Sequence, residues 1–253
     1  MYHWDGDRPV TNKGQSGTWR NRAIGRDGAL VRSENGITMA FALGPAMGEI
    51  EKTKRLQMVL EALRGDLDSL CFCRQIHGSL VHLITKVSGR VVRVGDGDAL
   101  ATSTPGLGLL VWTADCVPIL LAGEGAVAAV HSGWRGCAAD VVGAAVSELE
   151  NGHGLTPHDL RAAIGPAVCG GCYQVGNEVV RALQLFDIDE TRWLDGDRVD
   201  LRGFLSARLE ALGVPAERIE MVGGCTVETD DLASFRRDGE AAGRQWSMVY
   251  LRS

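Results

Sequence analysis

A thiol, a carboxylate, an imidazole and a guanidinium lie at the ends of consecutive apolar runs in this chain. Leu107 to Val111 leads into Thr113-Ala114-Asp115-Cys116-Val117-Pro118. Ala126 to Val130 leads into His131-Ser132-Gly133-Trp134-Arg135-Gly136, and His131 follows Cys116 by 15 residues. Such runs read as strands, and strand ends are where a rigid scaffold delivers reactive groups. A hydrophobic core needs none of the four.

Two chemistries fit these residues. His77, in Arg74-Gln75-Ile76-His77-Gly78, can join Cys116 and His131 as a Cys/His₂ donor set. Two neutral imidazoles and one thiolate suit zinc, and three protein ligands leave a fourth position for water or substrate. The separations of 39 and 15 residues match no short ligand spacing. Cys116 and His131 also read as a nucleophilic cysteine with its base, with Asp115 adjacent. Sequence alone does not choose between them. The plainer alternative for each residue is a small apolar cysteine or a hydrogen-bonded core histidine.

Arg135 is a candidate anion ligand, because a guanidinium fork meets phosphate bidentately. The plainer reading is a surface salt bridge. Arg236-Arg237-Asp238-Gly239 reads as a solvated turn that could add a cation. Asp98, in Gly95-Asp96-Gly97-Asp98-Ala99, reads either as a turn residue or as a carboxylate that orients a ligand histidine. Cys169-Gly170-Gly171-Cys172 is a CxxC, with Cys71-Phe72-Cys73 as a second pair. A single CxxC is a weak signal. Both its cysteines are expected to lie outside the His/Cys centre, to be structural or incidental, and to leave metal content unchanged when replaced.

The elements that must position these groups follow from periodicity. Residues 50–64 read as a helix with Leu56, Val59, Leu60 and Leu63 on one face. Residues 70–132 read mostly as β, including Leu80–Ile84 and Arg90–Val94. A helix is predicted over Ala138–Leu149. Another is expected over Asn177–Phe186, capped by Asn177, and a third begins at an Asp200 cap and stops at Gly213. Strands are predicted at Ile219–Val222 and Trp246–Leu251. Strands in runs favour an α+β class over a doubly wound sheet. Residues 1–35 are polar and glycine-rich and read as an N-terminal arm or edge hairpin; residues 36–253 read as one domain.

Composition excludes several classes. The chain has 253 residues, 45% hydrophobic and 23% charged, with formal net charge -6. That balance argues against a general nucleic-acid or membrane-surface binder. No apolar run approaches the ~18 residues of a membrane span. The first residues lack the apolar core of a signal peptide. The 7 cysteines, an odd number, favour reduced thiols and a cytoplasmic location over a disulfide framework. Gly-x-Gly-x-x-Gly after a strand is missing, and no histidine has Glu two residues on, as zinc deaminases require.

Taken in order, the motifs resemble the laccase-domain family, also described as polyphenol oxidoreductase-like purine nucleoside phosphorylases. Gln75-Ile76-His77-Gly78, Asp96-Gly97-Asp98-Ala99, the Thr113 block and the His131 block are similar to that family's pattern. Gly165-Pro166-Ala167 with Cys172-Tyr173-Gln174-Val175-Gly176 resembles the next block. Cys225-Thr226 with Ser234-Phe235-Arg236-Arg237-Asp238-Gly239 and Gly243-Arg244 resembles the last. The departures are a shortened glycine-rich block after Phe41, Lys54-Arg55 in place of Asn-Arg, Ser132 in place of alanine, and Phe235 alone before Arg236.

The resemblance implies one domain with two β layers flanked by helices, a four-layer sandwich. It implies one zinc held by His77, Cys116 and His131, with copper a weaker alternative; three ligands cannot furnish the several centres of a multicopper oxidase. It implies phosphorolysis of adenosine or inosine to the free base and ribose 1-phosphate, with adenosine deaminase and methylthioadenosine phosphorylase activity alongside. The older assignment in the family is copper-dependent polyphenol oxidation. On this reading the catalytic residues are Cys116, His131, Asp115 and Arg135. Arg135, Arg55 and Gln75 contact substrate or phosphate, and Asp98 stands behind a ligand. The implied partners are purine nucleosides and phosphate, with a homodimer as the candidate assembly.

Overall fold

The computed structural model describes residues 18–24, 27–44 and 49–253. The remainder of the predicted N-terminal arm lies outside the described residues. The first strands are β1 (Arg20–Ile24), β2 (Asp27–Glu34) and β3 (Ile37–Leu43), followed by α1 (Glu49–Ala62). Then come β4 (Ser69–Arg74), β5 (Val81–Leu83), β6 (Val91–Asp96), β7 (Ala99–Thr102), β8 (Leu107–Thr113), β9 (Val117–Gly123) and β10 (Ala126–Ser132). The second half carries α2 (Trp134–Ala138), α3 (Val141–His153), β11 (Arg161–Ile164), α4 (Asn177–Leu183), β12 (Leu194–Asp195), β13 (Arg198–Val199) and α5 (Leu201–Ala211). It ends with β14 (Ile219–Met221), α6 (Phe235–Asp238) and β15 (Gln245–Leu251).

Two mixed sheets stack face to face. One has seven strands in the order β1-β2-β3-β15-β8-β4-β6, the other six in the order β14-β11-β9-β10-β7-β5. The short ribbon β12-β13 stands apart. Alternation along the strands explains the stacking. Val127 and Ala129 of β10 face the layer between the sheets, against Leu109, Val111 and Val249. Ala126, Ala128 and Val130 face the other way, against Val141, Val142 and Val146 of α3 and Leu205 and Leu209 of α5. Strands covered on both faces must read as unbroken apolar runs, as β8, β9 and β10 do.

The outer face of the seven-stranded sheet is covered by α1, whose Leu56, Val59 and Leu60, with Leu63 just beyond its end, pack on Leu70, Leu110, Trp246 and Tyr250. Each such buried side chain is worth about 1.5–3 kcal/mol of transfer free energy. The result is four layers: α1, two sheets, and the α3–α5 side. The hairpin β1-β2 continues the first sheet through β3, and Trp19 and Leu30 are buried against Phe41.

Three local features differ from the sequence reading. The predicted Ala138 helix is two helices, α2 and α3, broken at Asp140, which adopts φ +57. Asp is one of the few residues that tolerate this left-handed conformation. Arg208 of α5 holds it there, donating to both Asp140 oxygens at 2.9 and 2.7 Å. Gly176, not Asn177, caps α4, with no side-chain capping bond. Finally, β11 was not visible in sequence, because its four residues, Arg-Ala-Ala-Ile, are too short for a periodic signal. Asp200 does cap α5, accepting from the Arg202 amide at 3.0 Å.

Candidate metal centre

Asp98 is the keystone of the site. It is 0% exposed, immediately before β7, and accepts three backbone N–H bonds from the loop after β4. These come from Ile76 at 3.2 Å, His77 at 2.9 Å and Gly78 at 2.7 Å. The grip holds His77 at φ +60, a conformation that costs a non-glycine residue about 1–3 kcal/mol. Asp98 Oδ1 also accepts from His131 Nδ1 at 2.8 Å. One carboxylate therefore sets the backbone of one histidine and the ring of the other. Proton placement on Nδ1 leaves His131 Nε2 as a lone-pair donor toward Cys116. Burial works to raise the Asp98 pKa, but the bonds from His131, Gly78 and His77 hold it below the usual carboxylate range.

Cys116 arrives by a different route. β8 belongs to one sheet and β9 to the other, so Ala114-Asp115-Cys116 is the crossover between them. Asp115 takes φ +80 at this turn. Its carboxylate accepts from Thr226 Oγ1 at 2.6 Å and from the Arg236 amide at 2.6 Å, and its carbonyl accepts from the Val168 amide at 3.1 Å. Both carboxylate oxygens are thus engaged in bracing the turn that carries Cys116.

The two routes converge. Cys116 Sγ lies 3.8 Å from His77 Nε2, and the His77 and His131 rings meet edge-on at 4.9 Å between centroids. One donor atom from each of His77, Cys116 and His131 lies within 4.8 Å of the others. Burial pushes the Cys116 thiol up, but His131 and His77 outweigh it and bring the pKa down to about 6. Burial works to lower His131, and the bonds to Asp98 and Cys116 outweigh it, raising its pKa to about 9. The donors fit a borderline-soft divalent ion such as zinc: one sulfur held toward thiolate, two imidazoles, and a carboxylate behind one of them. Three ligands leave a position open.

Gly133 closes one side and was not visible as a site residue in sequence. A Cβ there would stand 2.9 Å from Cys116 Sγ and 3.0 Å from His77 Cδ2. Gly133→Ala is expected to displace a ligand and lower metal affinity at least tenfold while far-UV circular dichroism stays unchanged; unaltered affinity in a chelator competition would contradict this geometry. Asp98→Asn is expected to weaken metal binding about 10–100-fold, since the charge behind His131 and the grip on the His77 loop both weaken. The same competition measurement checks it.

The other predicted residues separate into two groups. Arg135, in the first turn of α2, is exposed and stacks on Trp134 with its guanidinium carbon 4.3 Å from the ring centroid. Its charge and that of Arg236 both act to lower the Tyr173 pKa, against burial and the Cys116 charge, which raise it. Arg236 lies 5.0 Å over the Tyr173 ring and donates to the Gln174 carbonyl at 2.8 Å. Gln75 and Arg55 are engaged elsewhere. Gln75 donates to the Trp112 carbonyl at 2.7 Å and accepts from its amide at 2.8 Å. Both ends of its amide thus tie the His77 loop to β8. Arg55 donates to Asp27 at 2.5 Å and to the Gly44 carbonyl at 3.1 Å. In the structure the polar ends of Gln75 and Arg55, the expected contacts for substrate or phosphate, are engaged by these protein partners. Tyr173 and Thr226 were missed as site residues because no charge or metal-ligand chemistry marks them in sequence.

Residues 35–252 match the family described as multi-copper polyphenol oxidoreductase laccase. The chain belongs to that family. Relatives within it carry other names. A purine nucleoside phosphorylase of Streptomyces coelicolor is 36% identical over 83% of this chain and 87% of its own length. A purine nucleoside phosphorylase of Deinococcus radiodurans is 35% identical over 73% of this chain and 71% of its own. The adenosine deaminase RL5, from an unknown prokaryotic organism, is 36% identical over 78% of this chain and 80% of its own. The crystal structure of YlmD from Geobacillus stearothermophilus superposes with a TM-score of 0.80 at 25% identity, covering 96% of this chain and 98% of YlmD. Its fold is the mixed α/β single domain described above. Among the described residues, no helix is long and apolar enough to cross a membrane.

Proposed function

We propose that this family member is a zinc-dependent purine nucleoside phosphorylase, converting adenosine or inosine and phosphate to free base and ribose 1-phosphate. The observation that carries the reading is the three-donor cluster of His77, Cys116 and His131, with an exposed arginine, Arg135, four residues after His131 at the start of α2. The relatives named purine nucleoside phosphorylase supply the substrate class. Zinc bound by His77, Cys116 and His131 would supply a Lewis acid and a water that ionises near pH ~7.

The chain's own groups do the rest. Arg135 presents a guanidinium fork to phosphate, whose oxygen forms the new bond to the anomeric carbon as the glycosidic bond breaks with oxocarbenium character. The bonding electrons leave with the purine, which takes up the proton released by the attacking hydrogen phosphate and departs as free base. Tyr173 provides a partly buried aromatic surface beside Arg135 and Arg236. Asp98 fixes the tautomer of His131, and Asp115 fixes the turn that carries Cys116. Adenosine deamination is a second activity for the same centre, favoured by the likeness to adenosine deaminase RL5. The test is incubation with adenosine or inosine, with and without phosphate, followed by separation of base, inosine and ribose 1-phosphate. Phosphate-dependent base release is expected; no turnover of any purine nucleoside would overturn the reading.

One observation favours a different class. Without metal, a lowered Cys116 beside a raised His131 is a thiolate–imidazolium pair, the resting state of a cysteine nucleophile. The thiolate therefore persists above pH about 6 instead of the ordinary thiol value of 9.0. Alkylation of Cys116 by iodoacetamide in metal-stripped protein is expected to rise with a midpoint near pH ~6. Added zinc should suppress it. A midpoint near the ordinary thiol value would show that the histidines do not act on the sulfur. A metal-independent hydrolase would instead retain full activity after stripping.

A further inference from the structure

A second group of metal-ligating side chains stands apart from the first. Cys169, Cys172, Cys225 and Glu228 each offer one donor atom, all within 4.8 Å of one another. None of the four belongs to the His77, Cys116 and His131 set, and all seven cysteines of the chain are unbridged. Cys172 Sγ reaches Glu228 Oε1 at 3.6 Å.

Two separate loops build this cluster. Cys169-Gly170-Gly171-Cys172 follows β11 and folds as a tight turn, with the Cys172 amide donating to the Cys169 carbonyl at 3.0 Å. Cys225 follows β14 and pairs in parallel with Ala167, two residues before Cys169. The backbone is aimed at the sulfur: the Cys169 amide donates to Cys225 Sγ at 3.3 Å. An N–H donor on a sulfur stabilises its thiolate and sets its direction, as hydrogen-bonded outer partners do for metal ligands.

The surroundings supply positive charge. Arg202 of α5 reaches the root of the Cys225 loop, donating to the carbonyls of Gly223, Val222 and Ile164 at 3.3–3.4 Å. Its charge acts on both Cys225 and Cys169, and its buried Nε has no hydrogen-bond partner among the described residues. Three thiols this close repel as they ionise. Burial and the neighbouring sulfurs push Cys172 up, whereas Cys225 is held down by the Cys169 thiol and the backbone amides despite its burial.

We propose that Cys169, Cys172, Cys225 and Glu228 form a second, structural zinc site that clamps the loop after β11 to the loop after β14. Three sulfurs and one oxygen in a closed set suit a four-coordinate structural zinc ion. The absence of imidazole and of a hard oxygen shell disfavours copper(II), magnesium and calcium. The site has an evident consequence for the first centre. Val168, next to Cys169, and Thr226, next to Cys225, are two of the groups that brace Asp115. Clamping their loops fixes the turn that presents Cys116. This departs from the sequence expectation that metal content is indifferent to Cys169 and Cys172.

The test uses the full chain, stripped with chelator and reloaded with Zn²⁺, and reads metal content and thiol protection without any nucleoside. Failure of the phosphorylase reading would therefore leave it untouched. Wild type is expected to hold about two zinc ions per chain and Cys116→Ser about one. Cys172→Ser combined with Cys225→Ser should lose one relative to wild type. Mapped alkylation of wild type guards against a variant that fails to fold: Cys169 and Cys172 should be protected with zinc and reactive after chelation. Cobalt-loaded Cys116→Ser should show intense sulfur-to-metal charge-transfer absorption. A Cys116→Ser protein without metal, equal reactivity of Cys169 and Cys172 in both states, or a disulfide among the three would each overturn the proposal.

Discussion

Cys116→Ser is expected to abolish purine nucleoside phosphorolysis while the fold stays intact. The thiolate is the only anionic donor in the His77, Cys116 and His131 set. A serine hydroxyl remains protonated at neutral pH and is a poor ligand, so the variant should lose metal at this centre. His131 also loses one of the two partners that set its pKa. The packing change is one atom at a partly buried position, too small to disturb the sheets beneath it. A fall of more than about a hundredfold in rate is expected, larger than the change typical for a partner that only orients a ligand. Thermal unfolding should shift only by the lost metal linkage. Retention of full phosphorolysis would show that the reaction does not depend on this centre.

Arg135→Ala should behave in the opposite manner toward metal and substrate. Arg135 makes no bond to the cluster, so zinc content should match wild type. A charge-assisted bidentate contact is worth about 1.5–3 kcal/mol, so the apparent KM for phosphate should rise roughly 10–150-fold. The KM for nucleoside should move much less. Arg135→Lys should recover only part of the loss, because an ammonium keeps the charge and forfeits the fork. Initial rates at varied phosphate with saturating inosine give the result directly. An unchanged phosphate KM would remove Arg135 from the phosphate site and leave Arg236 as the nearer candidate.

The chain's periodic elements were legible because burial on both faces imposes a pattern. The apolar runs of β8, β9 and β10 are continuous for that reason, and their polar ends are the site. His77 is legible as a candidate ligand and Asp98 as a carboxylate behind a ligand histidine, but not as partners of each other. Their relation depends on three backbone amides curling around one carboxylate, which no spacing encodes. Gln75 and Arg55 show the converse. Their chemistry suits a ligand, but Trp112 and Asp27 reach them first across 37 and 28 residues of chain. The CxxC was discounted because one pair is weak evidence. Its partner Cys225 lies 56 residues from Cys169, brought close by the parallel pairing of β11 and β14.

The central claim is that His77, Cys116 and His131 hold the metal on which phosphate-dependent cleavage of purine nucleosides depends. It is tested most directly by assaying one preparation as purified, after chelator stripping, and after reloading with zinc, each with and without phosphate. Base release is expected to need phosphate, to disappear with the metal and to return on reloading. Undiminished base release by the stripped protein would contradict it.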